Sequence, residues 1–513
     1  MIRSGIVREN RYFDSMFLMQ VRQRMEREPG IRQAAAVMGT ATNKELLTRL
    51  GFAGSWLASA GPNDLVVAVE GEDAAVVHAV LDRVEEFFTQ KQRERETRPR
   101  ALADGLVALP EANLAVISVP GRFAAREARA ALERGLNVFL FSSNVSVEDE
   151  VALKELARAR GLLVMGPDCG TAIIRGIGVG FANAVRRGPI GVVGSSGTGL
   201  QEVTSLVHQS GLGVSHAIGT GSRDLSEAVG GLTTWSALEA LAADPDTEVV
   251  VVVAKPPAAR MLAALRARLQ EFPKPVVACL LGTAAPDRSS GGVQWAATLD
   301  AAAARAVRMA GGQPVVPERP DLAAWGKTAA GERARMDGGQ KYIRGVFAGG
   351  TFCYEAQHVL AQAGLVVRSN APLDRRRVLD DPMRSVGHAL LDLGDEHFTE
   401  GRAHPMIDPA LRQERVLLEA RDPEVAVVLL DFILGYNAAP DPVGDLLPVI
   451  REAKRAAVER GGYVSVVASV CGTDGDPQGL RSQVAALEEV GVVVLPSNAQ
   501  AAAYGVVVIG GAR

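Results

Sequence analysis

Two glycine- and hydroxyl-rich turns in this 513-residue chain have the composition of an anion cradle. The first, Gly194-Ser195-Ser196-Gly197-Thr198-Gly199, lies between the apolar run Ile190–Val193 and a helical pattern over Leu200–His208. Backbone N–H groups turned inward at a helix N-terminus favour a phosphate or carboxylate, because the helix dipole adds to their hydrogen bonds. The plainer alternative is a tight turn in which Ser and Thr cap the helix. It is not a Walker A loop, since no Gly-Lys-Thr/Ser follows. The second turn, Gly349-Gly350-Thr351-Phe352-Cys353, repeats the pattern, and two such helix ends could share one charged ligand. Three more segments offer reactive groups. Gly166-Pro167-Asp168-Cys169-Gly170-Thr171 carries a carboxylate and a thiol, although a Pro-Asp turn with a buried Cys is the ordinary reading. Ala403-His404-Pro405-Met406-Ile407-Asp408-Pro409 holds His404 and Asp408 in a turn stiffened by two prolines. Cys471-Gly472-Thr473-Asp474-Gly475-Asp476-Pro477-Gln478 offers Thr473, Asp474 and free amides after an apolar run over Tyr463–Val470.

What positions these loops is a series of strands alternating with helices. Leu114–Val119, Val138–Phe141 and Leu162–Met165 read as strands, with helices over Ala124–Arg134 and Val147–Arg160 between them. Such alternation builds βαβ units on a parallel sheet, whose ligands bind beyond the carboxyl ends of the strands. A repeat organises the rest. Gly191–Thr198 matches Gly345–Thr351, Asp244–Val251 matches Asp422–Val428, and Pro275–Thr283 matches Val466–Thr473. A fourth match pairs two closing strands, Val315-Val316-Pro317 and Val493-Val494-Leu495-Pro496. Four matches in one order predict two related domains. The expected organisation is a small α/β domain over 1–98, a Rossmann-like domain over 99–185, related domains over 186–318 and 342–513, and a linker over 319–341. The small domain reads as strand, helix, strand, then Leu65–Val69 and a final helix, giving an α/β sandwich. A charged run over Gln90–Arg98 connects it to the remainder.

Composition narrows the classes. Basic residues number 55 and acidic residues 59, a net charge of −4, with no Lys/Arg block to suggest nucleic acid or an anionic membrane. Apolar residues make up 47% and aromatics 5%, so the core must be Ala, Val and Leu punctuated by 54 glycines, as in a large α/β protein. The four cysteines form no C-x-x-C pair and no His/Cys cluster, so neither a metal site nor a disulfide framework is expected. Apolar runs such as Val249–Ala254 are strand-length, and the start has no signal-peptide core; the expectation is a cytoplasmic, soluble protein.

Met165-Gly166-Pro167-Asp168-Cys169-Gly170 resembles the M-I-G-P-N-C motif of the succinyl-CoA synthetase α-subunit. Val193–Thr198 resembles its S-R-S-G-T phosphate loop, and Gly219-Thr220-Gly221-Ser222 its G-I-G-G. The last domain is similar to the β-subunit's ligase domain, with Asp431-Phe432-Ile433-Leu434-Gly435 standing where that subunit has N-I-F-G-G. Joined in one chain, with the His404–Pro409 and Gly472–Gln478 segments, these motifs resemble the FdrA family over about residues 100–513. The resemblance implies a Rossmann-like domain followed by two flavodoxin-like domains of the succinyl-CoA synthetase type. The departures matter as much. Thr283-Ala284-Ala285-Pro286 is present, but the phosphohistidine expected after it is not, since no histidine lies between His216 and His358. No stretch matches an ATP-grasp module, and the Gly-rich CoA-binding turn is not evident, so CoA is a possible cofactor only and no other is expected.

The family resemblance implies one subunit of a carbamoyltransferase in ureide (allantoin) breakdown, exchanging oxalurate and phosphate for oxamate and carbamoyl phosphate. On this reading Ser195, Ser196, Gly197, Thr198, Gly349, Gly350 and Thr351, together with Asp168, Cys169, Gly435, Thr473 and Asp474, bind the phosphorylated substrate. His404 and Asp408 are the candidates for polarising the carbamoyl group or orienting the second substrate. The alternatives are an acyl-CoA ligase subunit whose ATP-grasp part is a separate chain, and a non-catalytic scaffold. All three expect a small anionic substrate or partner subunits in a homo- or hetero-oligomer, without nucleic acid or membrane.

Overall fold

A computed structural model of the chain describes residues 2–11, 13, 15–89, 99, 101–283, 292–318, 321–400 and 402–510. The charged run 90–98 and most of the Thr-Ala-Ala-Pro segment with its sequel (284–291) lie outside the described residues. The chain divides into two compact units, residues 1–101 with 393–408, and residues 102–392 with 409–513.

The first unit is built on β1 (Ile2–Arg8), β2 (Ile31–Met38) and β3 (Leu65–Gly71), with β3 central and antiparallel to both neighbours. Strand alternation divides its apolar residues between two faces. Leu65, Val67 and Val69 pack with Phe17, Leu18, Val21 and Met25 of α1 (Ser15–Glu26). On the other face Val66 and Ala68 pack with Leu47 of α2 (Ala41–Arg49), Phe52, and Leu57 of α3 (Ser55–Ser59). Helices α4 (Ala74–Asp82) and α5 (Val84–Thr89) complete the first core. A sheet covered on both faces explains why β3 is buried throughout. The expected sandwich is therefore present, and it takes in residues from far down the chain.

The second unit opens with α6 (Leu102–Ala108) and a small parallel sheet, β4 (Leu114–Ile117), β5 (Asn137–Leu140) and β6 (Val164–Met165). Helix α7 (Gly121–Glu133) buries Ala124, Ala128, Ala131 and Leu132, the i, i+4, i+7, i+8 stripe of a sheet-facing helix. Helix α8 (Val147–Ala159) starts at Ser146, whose hydroxyl caps the Asp149 N–H, and carries Glu148, Asp149 and Glu150 in its first turn. A hairpin, β7 (Thr171–Ile174) and β8 (Ile177–Gly180), then joins the next sheet and not the one before it.

That next sheet has the order β13-β12-β11-β9-β10-β7-β8, from β9 (Ile190–Gly194), β10 (Val214–Gly219), β11 (Val249–Ala254), β12 (Val276–Leu280) and β13 (Val293–Ala296), parallel apart from the hairpin. Its helices are α9 (Gly197–Gln209), α10 (Leu232–Ala243), α11 (Ala259–Gln270) and α12 (Leu299–Met309). Helix α13 (Leu322–Arg333) follows, within the segment expected to be a linker. It packs on the last domain: Glu332 accepts hydrogen bonds from Tyr463 Oη at 3.0 Å and Ser465 Oγ at 2.6 Å.

The second repeat is an all-parallel sheet in the order β15-β16-β14-β17-β18-β19, from β14 (Tyr342–Phe347), β15 (Val367–Arg368), β16 (His388–Asp392), β17 (Val425–Ile433), β18 (Ser465–Cys471) and β19 (Val493–Leu495). Its helices are α14 (Gly350–Gln362), α16 (Ala410–Arg421), α17 (Leu447–Glu459), α18 (Leu480–Glu489) and α19 (Asn498–Val508), while α15 (Glu396–Thr399) belongs to the first unit. Both repeats therefore order their core strands alike: β12, β11, β9, β10 against β18, β17, β14, β16. One expected match is corrected. Residues 315–317 are not a strand; the counterpart of β19 is β13, and each is followed by an inward-facing helix, α12 or α19. The Val-Val-Pro likeness was a coincidence of composition, whereas the edge position beside β12 or β18 is fixed by pairing.

Helices α9 and α12 of one repeat and α14 and α19 of the other pack together between the sheets. A helix with neighbours on every side keeps no solvent-exposed face. Accordingly α9 is buried from Gly199 to Val207, while α12 approaches α9 and α19 approaches α14 through runs of alanine. This is where the alanine-rich, aromatic-poor composition goes. No described helix is long and apolar enough to cross a membrane.

Candidate functional site

The two cradle turns meet. Ser196 caps α9, accepting the Gly199 N–H at 2.9 Å, and its hydroxyl lies 2.5 Å from the Thr351 hydroxyl in the first turn of α14. Ser195, Ser196 and Thr351 are buried; Gly197 and Thr198 are partly open. At the head of α9 the first N–H groups have no intrahelical acceptor, and no carboxylate is bonded to Gly197 or Thr198 among the described residues.

At α14 a carboxylate takes the turn just ahead of the helix. Asp431, fully buried on β17, accepts the N–H of Ala348 at 2.8 Å and of Gly349 at 2.7 Å. Burial pushes its carboxyl upward, against the pull of Arg412, whose guanidinium stands 3.0 Å away, and of the two amides. Asp392, at the end of β16, lies so near Gly350 that any Cβ there would collide with the carboxylate, which is why glycine starts this helix. Two helix ends of one ancestry thus carry opposite charge environments.

The remaining loops gather around α9. The 166–170 loop packs on the 219–222 loop, where a Cβ on Gly221 would meet Gly166 at 3.1 Å, and Thr220 N–H bonds Gly194 O at 2.9 Å. Buried Lys154 holds the 219–222 loop from beneath, donating to Thr220 O at 3.0 Å, Glu150 at 2.7 Å and Asp224 at 2.7 Å. Asp168 is exposed, yet enough protein surrounds its carboxyl that desolvation pushes its pKa up; the Ser222 hydroxyl, Lys255 and Arg223 pull it down. Cys169 is a packing residue: its thiol is buried, faces Thr171 O at 3.5 Å, and is pushed up to about 12 by burial, far from a thiolate.

Three carboxyl groups lie behind the cradle. Glu202 of α9 and Glu355 of α14 occupy the same position of the repeat, five residues after Gly197 and Gly350, and Asp300 of α12 joins them. Asn498 ties them: its N–H meets Glu202 at 3.4 Å and its side-chain amide meets Glu355 at 2.7 Å, while Ser497 donates to Asp300 at 2.7 Å. Burial without a cation pushes Glu202 up to about 7 and drives Glu355 and Asp300 in the same direction.

Gly435, Thr473 and Asp474 lie on loops along the side of α9, whose Gln201 donates to Leu434 O at 3.3 Å and whose Gln209 donates to Gly472 O at 2.8 Å. The loops 434–437 and 473–478 clamp residues 180–184: Asp476 accepts Ala184 N–H at 2.6 Å and Asn183 Nδ2 at 2.8 Å, and Thr473 Oγ1 donates to Ala184 O at 2.8 Å. A Cβ on Gly435 would meet Ala182 O at 2.5 Å. Asp474 is exposed and pairs with Arg481 at 3.0 Å. His404 and Asp408 belong to the first unit, where Met406 N–H donates to His404 Nδ1 at 3.2 Å and Arg22 pairs with Asp408 at 3.1 Å.

Sequence reading passed over Lys255, Asp392 and the Glu202/Glu355 pair. Two signals were available: Lys255 ends the apolar run Val249–Ala254, at the strand end where ligands bind, and aligning the cradle turns gives a shared Gly-Thr-x-x-x-Glu.

Known proteins share these parts. A "Succinyl-CoA ligase like flavodoxin domain" matches residues 187–327 and a "CoA-ligase" family matches 346–508. Residues 1–102 match "AllF, heavy metal-associated domain". That stretch has no cysteine and one histidine, exposed His78, and the described residues contain no His/Cys/Asp/Glu group able to hold a metal ion, so the residues do not fit a heavy metal. The succinate–CoA ligase [ADP-forming] α-subunit of Aquifex aeolicus is 31% identical over 34% of this chain and 58% of its own length. An acetyl-coenzyme A synthetase structure from Ca. Korarchaeum cryptofilum aligns with 77% of this chain and 82% of its own at 15% identity and a TM-score of 0.31. YahF of Escherichia coli K12, described as uncharacterized, is 44% identical over 96% of both chains. With succinyl-CoA-ligase-like domains behind an AllF-type N-terminal domain and no ATP-grasp match, the chain belongs to the FdrA family.

Proposed function

We propose that the chain is a cytoplasmic subunit of a carbamoyltransferase that exchanges oxalurate and phosphate for oxamate and carbamoyl phosphate. The observation that carries the reading is the open head of α9 beside Ser196, set against the α14 turn, which Asp431 ties just ahead of the helix and Asp392 crowds. One phosphate-sized anion is suited to the first end, with Gly197 and Thr198 amides before it and Thr351 alongside. The AllF-type match at residues 1–102 supports the ureide context. In the forward direction a phosphate oxygen forms a bond to the carbamoyl carbon, the C–N bond to oxamate breaks, and the oxamate nitrogen takes the proton that phosphate gives up. The chain's contribution is orientation of the phosphate and stabilisation of charge on it by fixed N–H dipoles. No step is assigned to His404 or Asp408, which serve the first unit's own contacts, nor to Cys169.

The test is oxalurate plus phosphate given to the purified chain with partner subunits co-expressed from its source; carbamoyl phosphate is expected, and its absence overturns the reading. The matches to CoA-ligase domains favour a second reading, an acyl-CoA ligase subunit working with a separate ATP-grasp chain. Calorimetry with CoA separates the two: binding is expected only for the ligase subunit.

A further inference from the structure

We propose that Lys255 is the cation that binds the phosphate dianion of the substrate at the head of α9. The inference rests on the anion-site reading above and adds to it a residue that neither the turn motif nor the repeat contains. In register, Val253 of β11 pairs with Gly194 of β9, and Ser195 N–H donates to Val253 O at 3.2 Å. Two residues further along each strand, Lys255 therefore leaves the sheet beside Ser196. It is half-buried, and among the described residues its ammonium has no hydrogen bond and no ion pair. Instead Nζ stands 4.8 Å from the ring centroid of Tyr354, in the first turns of α14, and its charge reaches Asp168 and Cys353. An ammonium drawn partly out of water, with Asp168 near but no carboxylate in contact, is poised for an incoming anion.

A second observation points to a ligand at the same turn. Thr220 is fully buried and its hydroxyl has no hydrogen-bond partner, although its N–H is tied to Gly194 at the start of the cradle. Buried hydroxyls are almost always bonded, so one that is not marks a place where a partner from outside belongs. The α9 amides, the Thr220 hydroxyl and the Lys255 ammonium supply donors from three adjacent strand ends, while the carboxylates nearby, Asp431, Glu355 and Asp168, already have donors of their own, Asp168 from the Ser222 hydroxyl. That donor excess suits a phosphate dianion, whether free or as carbamoyl phosphate.

Inorganic phosphate titrated into the full chain, followed by calorimetry and by the rise in melting temperature, tests the assignment. Wild type is expected to bind, Lys255→Met to lose at least tenfold in affinity at an unchanged melting temperature without phosphate, and Lys255→Arg to recover part of it. Phosphate should also protect Lys255 in the wild type from an amine-reactive label, a readout that needs no variant. Wild-type protein indifferent to phosphate, equal affinity in Lys255→Met, or unprotected Lys255 overturns the inference. Phosphate binding through Lys255 without oxalurate phosphorolysis would uphold the site and defeat the carbamoyltransferase.

Discussion

Helices α9 and α14 begin alike, after equivalent strands, with Gly-Thr at their heads and a buried glutamate in their second turns, yet they end in opposite electrostatic states. The head of α9 is capped by a neutral hydroxyl. That of α14 follows a turn tied to Asp431 and is crowded by Asp392. An internal carboxylate is an anion already bound, so the second cradle has been converted into a structural joint. Duplication preserved the turn; the charges placed opposite it decide whether it serves a ligand or the fold.

The largest expected effect comes from reopening the α14 end. Asp431→Ala leaves Arg412 buried without its partner and two amides uncapped, and should cost about 3–5 kcal/mol, read by chemical denaturation. Next come the carboxyls behind the two ends. Burial raises the folded-state pKa of Glu202 to about 7, so its stabilising protonated form is complete below the ordinary glutamate range and is lost as pH climbs towards 7. Stability should fall between about pH 4.5 and pH 7 by roughly 3 kcal/mol for this group, and Glu202→Gln should remove most of that slope in melts across the range. Glu355→Gln should act in the same direction, since its carboxyl is also driven up by burial and by Asp300. A smaller loss, about 1 kcal/mol, is expected for Ser196→Ala, which deletes the α9 cap and should also weaken phosphate binding in the same calorimetric titration. The smallest change in stability, about 0.3–1 kcal/mol, belongs to Asp392→Asn, which removes a charge favourable to the α14 dipole. A gain of phosphate affinity in that variant would sharpen the contrast by showing the second end to be latent.

Much of this fold could be read from strand patterns because buried parallel strands leave continuous Val-rich runs, and Val249–Ala254 or Val425–Leu430 can hardly be anything else. The cradle turns were legible for the same local reason. What stayed hidden was pairwise. That Asp431 reaches back across 82 residues to Gly349, or that Asp476 grips Asn183 across 293, leaves no periodic trace in either segment. The false strand at Val315–Pro317 shows the converse, a local likeness without a neighbouring strand to pair with. Helix α13 was obscured because its anchor, Glu332, has meaning only beside Tyr463 and Ser465.

The first unit takes residues 393–408 as its own, through Arg402 to Asn43 at 3.0 Å and Arg22 to Asp408 at 3.1 Å. During synthesis at ~5–20 residues per second, these partners emerge roughly 15–60 s after residue 101. The N-terminal sandwich must therefore wait on the ribosome with Arg22 and Asn43 unanswered, and its last contacts close only when most of the second repeat is still inside the exit tunnel or not yet made. Vectorial assembly from the N-terminus is thereby broken by a late clasp, and a truncation before residue 408 would release a first unit lacking it.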